Sequence, residues 1–249
     1  MRYAVETPQS AEEVPGGLLQ VANVIDGAPG QVFHQGVQIE PRFEGQVRRY
    51  VDGSKTFDKP KDSIEAAPFT LYAGVDLPLL MQHNEAEPTV KDVFGRGEDR
   101  AVEAALQELV LNPAAVDLTP TPGTAVTNTR LALGLLEQYA ASQYSGVPTL
   151  HTNRLGGNLM TEFADADNGN LKTRLGVRIA VGAGYSATGP SVAPAGTAWL
   201  YATGQVTLWR SALRTYPAVA AEDNREKALA EARYVPTVEA FVAAILIGA

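Results

Sequence analysis

The chain has 249 residues, 45% of them hydrophobic and 19% charged, enough to bury a sizeable core and too apolar for a disordered chain. It has no cysteine, which excludes disulfides, thiolate catalysis and cysteine-ligated metals. A formal charge of −8, from 28 acidic against 20 basic residues, argues against a dedicated nucleic-acid binder, whose phosphate contacts need concentrated Lys and Arg.

The start of the chain lacks the apolar core of a signal peptide. The longest apolar run, Phe241 to Ile247, is too short to cross a bilayer, so a soluble protein working where it is made is expected. Low charge density also suits a chain that buries surface against copies of itself.

Residues 1 to about 30 are rich in Gly and Pro and predict an extended arm with at most a helical turn around Leu18 to Val24. From Val32 to Tyr72 the pattern changes to short alternating runs, Gly36 to Glu40, Gly45 to Val51 and Pro68 to Tyr72, with the hairpin signal Asp52-Gly53 between them. A long two-stranded ribbon follows, and an isolated ribbon needs a partner surface.

Thr89 to Leu111 carries apolar residues at spacings of three and four (Val90, Val93, Phe94, Val102, Leu106, Leu109, Val110) and predicts a helix. Thr89 and Asp92 resemble a capping box, Asn112-Pro113 a stop, and Gly95 and Gly97 places for a bend or the close approach of another chain. A second helix is predicted from Asn128 to Tyr144, a strand over Val147 to Thr152, a short helix over Arg154 to Phe163 and a strand over Leu175 to Val181. Residues 182 to 197 read as a loop. Two strand-like segments close the chain, Thr197 to Arg210 and Ala232 to Ile247, separated by the charged, helix-friendly stretch Glu222 to Glu231. The last of them is expected to be pinned in a sheet against Thr197 to Arg210.

Candidate chemistry is sparse. Asp165, Asp167, Asn168 and Gly169 approach a calcium loop, but the glycine is one place early and Gly176 stands where the bidentate Glu belongs. Gly182-Ala-Gly184 lacks the third glycine of a dinucleotide fingerprint, and Ser186 lacks the second glycine of a nucleophile elbow. His34, His83 and His151 share no spacing and read as ordinary polar residues. Glu98, Asp99 and Arg100 read as a salt-bridged helix face rather than paired catalytic acids. Trp199, Tyr201 and Trp209 read as one half-buried packing face of a strand. No catalytic residue, cofactor or metal is assigned, and an enzyme is not expected.

Three stretches carry a family resemblance: Phe69 to Leu80 leading into Val90 to Glu108; Leu131 to Tyr144 followed by Gly146 to Leu150 and Arg154 to Leu159; and the closing pair with Glu239-Ala-Phe-Val242. Their order over residues 32 to 247 resembles the major capsid protein of tailed bacteriophages, the Hong Kong 97 type whose fold encapsulin shells share. The resemblance implies an α+β fold with an N-terminal arm (1–31), an extended loop (32–72), a peripheral domain (73–123 and 197–249) whose long spine helix joins the domains, and an apical domain (124–196).

It also implies a coat that self-assembles as hexamers and pentamers, with portal, scaffold or decoration proteins as further partners, weak contact with packaged double-stranded DNA and no membrane. Arg48, Arg49, Tyr50, Asp52, Lys55, Phe57 and Lys59, on the ribbon, are the expected subunit-interface residues. Lys55, Lys59 and Lys61 occupy the ribbon where one branch of the family crosslinks, but no acidic and Asn partners can be assigned. An encapsulin would be expected to open with an amphipathic helix, for which residues 1 to 30 are too rich in Gly and Pro. A connector or tail protein is the remaining alternative.

Overall fold

Among the described residues there are two large sheets and one two-stranded ladder, and one long helix lies against both large sheets. The computed structural model describes residues 16–28, 31, 33, 35–39, 64–78, 85–167, 170–220, 222 and 224–249. In order, the elements are α1 (Leu18–Val21), β1 (Asn23–Asp26), β2 (Val37–Ile39), β3 (Ile64–Ala66), β4 (Phe69–Pro78) and α2 (Ala86–Leu106). The helix runs on through a π-helical turn (Gln107–Leu111) into α3 (Asn112–Ala114). Then come β5 (Val116–Asp117), α4 (Thr129–Gln143), β6 (Thr149–Asn153), α5 (Arg154–Leu159), a 3-10 turn (Thr161–Phe163), β7 (Ala164–Asp167), β8 (Asn170–Thr173) and β9 (Arg178–Gly182). The chain closes with β10 (Thr197–Thr203), β11 (Val206–Arg210), β12 (Arg214–Ala220), β13 (Arg225–Val238) and β14 (Val242–Gly248).

The first sheet is built on β13. Strand β4 runs antiparallel along one edge, from Phe69 opposite Tyr234 to Pro78 opposite Arg225. Strands β12 and β11 share the other edge, and β1 joins β11 in parallel. The helix-friendly stretch is therefore strand. Ala228, Ala230, Ala232 and Tyr234 are all buried while Lys227 and Leu229, on either side of Ala228, are exposed, and that period of two selects a strand whatever the intrinsic helix preference of Ala and Glu. The alanines leave room for α2, whose Val90, Phe94, Val102 and Leu106 share their core.

The second sheet has the order β5-β14-β10-β6-β9-β8-β7. The expectation for the closing run holds: β14 pairs antiparallel with β10, from Thr197 opposite Gly248 to Thr203 opposite Val242. All seven residues of β14 are buried. Ala243, Ile245 and Ile247 face α4 through Ala132, Leu133, Leu136 and Ala140, and Ala244 and Leu246 face the core of α2.

Several details differ from the sequence reading. The strand Thr197 to Arg210 breaks at Gly204-Gln205, and its halves lie in different sheets, so Trp199 and Tyr201 do not share a face with Trp209. The closing run breaks likewise at Glu239-Ala240, where Ala240 takes a left-handed φ of +63°. The second sheet draws strands from both sides of residues 124 and 197, and β4 runs across residues 72 and 73. Helix α2 begins at Ala86, and Thr89 spends its hydroxyl on the Glu85 carbonyl at 2.7 Å instead of capping. Pro113 lies inside the helical run, just after the π-helical turn and one residue before the run ends.

Candidate assembly surfaces

A short antiparallel ladder, Val37 to Ile39 against Ala66 to Ile64, brackets the segment where the sequence places the ribbon. It opens at Gly36, whose φ of +79° and 2.2 Å clearance from a built Cβ to the Ala66 carbonyl oxygen leave room only for glycine. Arg48, Arg49, Tyr50, Asp52, Lys55, Phe57 and Lys59 fall in sequence between the two strands and outside the described residues; His34, His83, Asn168 and Gly169, elsewhere in the chain, are also outside them.

Part of the predicted arm is docked. Leu18 has no exposed surface, the Gly16 carbonyl accepts from the Val181 N–H at 2.8 Å, and β1 extends the first sheet. Two acids of α2 receive this segment: Glu103 accepts the Leu18 N–H at 3.1 Å and Asp99 accepts the Leu19 N–H at 3.1 Å. Glu103 also accepts the Gly184 N–H at 2.8 Å. Burial is the first cause that pushes its carboxyl up to about 7, against the pull of those N–H groups. A Cβ at Gly17 would stand 1.7 Å from Asp99, one at Gly182 2.0 Å from Glu103, and one at Gly184 2.0 Å from the Arg100 carbonyl oxygen. The Gly-Ala-Gly run that fails as a nucleotide motif thus makes room for a buried carboxylate.

Of Glu98, Asp99 and Arg100, which the sequence reads as a salt-bridged helix face, Glu98 pairs with a cation from elsewhere in the fold, and the same helix carries a further pair. Lys91 pairs with Glu87 at 2.7 Å one turn away. Glu98 takes the Arg210 guanidinium at 2.8 Å and the Tyr234 hydroxyl at 2.6 Å, and Arg210 also holds Asp26 at 2.7 Å.

Between α2 and the second sheet runs a buried polar seam. At the π turn Gln107 accepts the Ser186 N–H at 2.7 Å and donates to the Thr188 carbonyl at 2.5 Å, and the Tyr201 hydroxyl donates to Asn112 at 2.6 Å. His151 is fully buried between the Tyr185 hydroxyl at 3.0 Å and the Thr203 hydroxyl at 2.9 Å, and burial lowers its imidazole to about 3. A neutral, doubly bonded ring fits a structural histidine. Among the described residues no group of three or more His, Asp or Glu is placed to hold a metal, and no helix is long and apolar enough to cross a membrane.

No family model matches the chain, and no curated protein has a matching sequence. Solved structures do match. The capsid of an empty GTA particle superposes with a TM-score of 0.63 at 13% identity, over 100% of this chain and 95% of that one. The holo-SrpI encapsulin complex from Synechococcus elongatus PCC 7942 gives 0.60 at 11% identity, over 98% and 91%. The capsid of cyanophage P-SCSP1u gives 0.52 at 12% identity, over 98% and 92%. The fold is the Hong Kong 97 type.

In this Hong Kong 97-type chain the outward face of the first sheet carries exposed apolar surface. Tyr216 stands opposite Leu229 and Glu231 opposite Tyr72, which is 75% exposed. Glu103 and Gln107 escaped the sequence reading because acids and amides on a helix ordinarily face water. The available signal was their place on the apolar stripe, Glu103 next to Val102 and both bracketing Leu106.

Proposed function

We propose that the chain is the major coat subunit of a tailed, double-stranded DNA bacteriophage, assembling with its own copies into the hexamers and pentamers of an icosahedral head and carrying no enzymatic activity. The observation that carries this reading is fold agreement over the whole chain, 100% of it against 95% of a particle capsid. A fold on its own does not fix function, but a fold matched from end to end leaves little of the chain for another task.

In this reading the segment bracketed by β2 and β3, with Arg48, Arg49, Tyr50, Asp52, Lys55, Phe57 and Lys59, lies across a neighbouring copy, where its backbone groups find partners. The subunit belongs to the virion capsid and assembles in the host cytoplasm, with portal, scaffold or decoration proteins as separate chains. Its net charge of −8 suits weak contact with packaged DNA.

A second reading is a compartment shell, favoured by the TM-score of 0.60 to the SrpI encapsulin complex. Negative-stain microscopy of the purified protein tests both. Closed shells support them, and their contents, nucleic acid or a cargo protein, separate them. Rings or tubes point to a connector or tail component, and small discrete particles overturn a shell role.

A further inference from the structure

Asp99 and Glu103 stand one turn apart on α2, two like charges beneath a short piece of chain. That piece, residues 16–26, is held by the N–H bonds of Leu18 and Leu19 to those acids, by the Gly16 carbonyl on Val181, by the apolar side chains Leu18 and Val21, and by one edge ladder along β11. Glu103 is only 1% exposed while it is in place. An open cavity of about 710 Å³ runs along the strap, from Gln20 past Asp92, Arg96 and Arg100 to the two acids; Asp99 is half-buried at its wall while Glu103 stays covered, so lifting the piece opens Glu103 to that water.

We propose that residues 16–26 form a proton-dependent strap, fastened while Glu103, with Asp99 beside it, carries a proton and loosened when Glu103 loses it. The reason is solvation. An ionised carboxylate needs water, the fastened strap denies it water, and lifting the strap restores it, so the lifted form binds protons more weakly. Linkage then moves the equilibrium toward the lifted form as pH rises.

The charged and titratable neighbours are consistent with this sign. Asp99 adds repulsion on the same helix, and Arg154 at the start of α5 opposes it. Arg100 lines the cavity. Asp26 of β1 and Arg210 of β11 are paired with each other. The Tyr185 phenol is held neutral, pushed well above its ordinary range by burial and then by Glu103. The window lies between the ordinary carboxyl value of 4.5 and about 7. Across it, one proton of difference changes the lifted-to-fastened ratio by up to about tenfold per pH unit.

Hydrogen–deuterium exchange on the full chain, from pH 5.5 to 8.5 with intrinsic exchange rates divided out, reads the strap directly. Protection of residues 16–26, lower than that of the core strands β10 and β14, is expected to fall by up to about tenfold per unit below pH 7 and to level off above it. Glu103→Gln should flatten the profile. Protection of the wild-type strap that does not change with pH, or a Glu103→Gln profile that titrates like wild type, overturns the proposal. The absence of cysteine allows a second reading that leaves both acids intact. A nitroxide on Asn23→Cys, an exposed position, should gain mobility over the same window, and unchanged mobility also overturns it. Both measurements work on unassembled subunits, so their failure is separate from any failure to form shells.

Discussion

Leu106 has no exposed surface and packs in the core shared by α2 and the first sheet. Leu106→Ala should therefore cost about 2–5 kcal/mol in urea unfolding; a change within about 0.5 kcal/mol would mark an exposed site. Two buried titratable residues shape the pH dependence in opposite directions. Glu103 is raised from 4.5 to about 7, so its stabilising effect is complete below pH 4.5 and lost as pH rises through 7. His151 is lowered from 6.5 to about 3, so its effect is complete above pH 6.5 and lost as pH falls toward 3. Each contributes a slope of up to about 1.4 kcal/mol per pH unit within its window. Unfolding measured across pH should show that Glu103→Gln removes the loss of stability between pH 4.5 and 7, and that His151→Asn removes the loss between pH 6.5 and 3. The apolar stripe of α2 was readable because burial follows period, whereas Glu103 was not, because its partners, Leu18 and Gly184, stand 85 and 81 residues away in sequence.

At the level of elements, β14 is paired on both edges and buried along all seven residues. Removing residues 241–249 should strip β10 and β5 of their common partner and expose both faces at once, a loss comparable to the whole stability of a domain, about 5–15 kcal/mol. The expected outcome is aggregated protein in size-exclusion chromatography; a soluble monomer with an unchanged circular dichroism spectrum would reduce this strand to a dispensable tail. The closing run announced itself by composition. The first half of strand β13, Arg225 to Glu231, did not, since its Ala, Glu and Lys content favours helix, and only a partner surface beneath every second residue reveals the strand. The breaks at Gly204-Gln205 and Glu239-Ala240 were hidden for the same reason: each continues an apolar run, and only the existence of two sheets explains the change of direction.

On the scale of the molecule, the ladder of Val37 to Ile39 with Ala66 to Ile64 closes the base of the segment that carries the expected interface residues. Deleting Asp52 to Lys61 should leave the thermal midpoint within a few degrees of wild type while abolishing closed shells in negative-stain images. Shells of normal form from this deletion would remove the segment from the assembly contacts. The order of long helix and closing strands was legible in the sequence because each part has its own composition and period. How the closing strands divide between the sheets depends on pairings across more than a hundred residues, which no local pattern encodes.

The core beneath α2 collects side chains from both sheets, Ala228, Ala230 and Tyr234 from one and Trp199, Tyr201 and Leu246 from the other. The chain also passes between the two large sheets three times, once through α2 and twice directly, with Glu239 donating its N–H to the Gln205 carbonyl at 3.1 Å where the two direct passages meet. Neither sheet can melt without uncovering the other, so the subunit has no half that unfolds first. In an assembled wall, such a tile would stay whole under stress until it failed as a single cooperative unit.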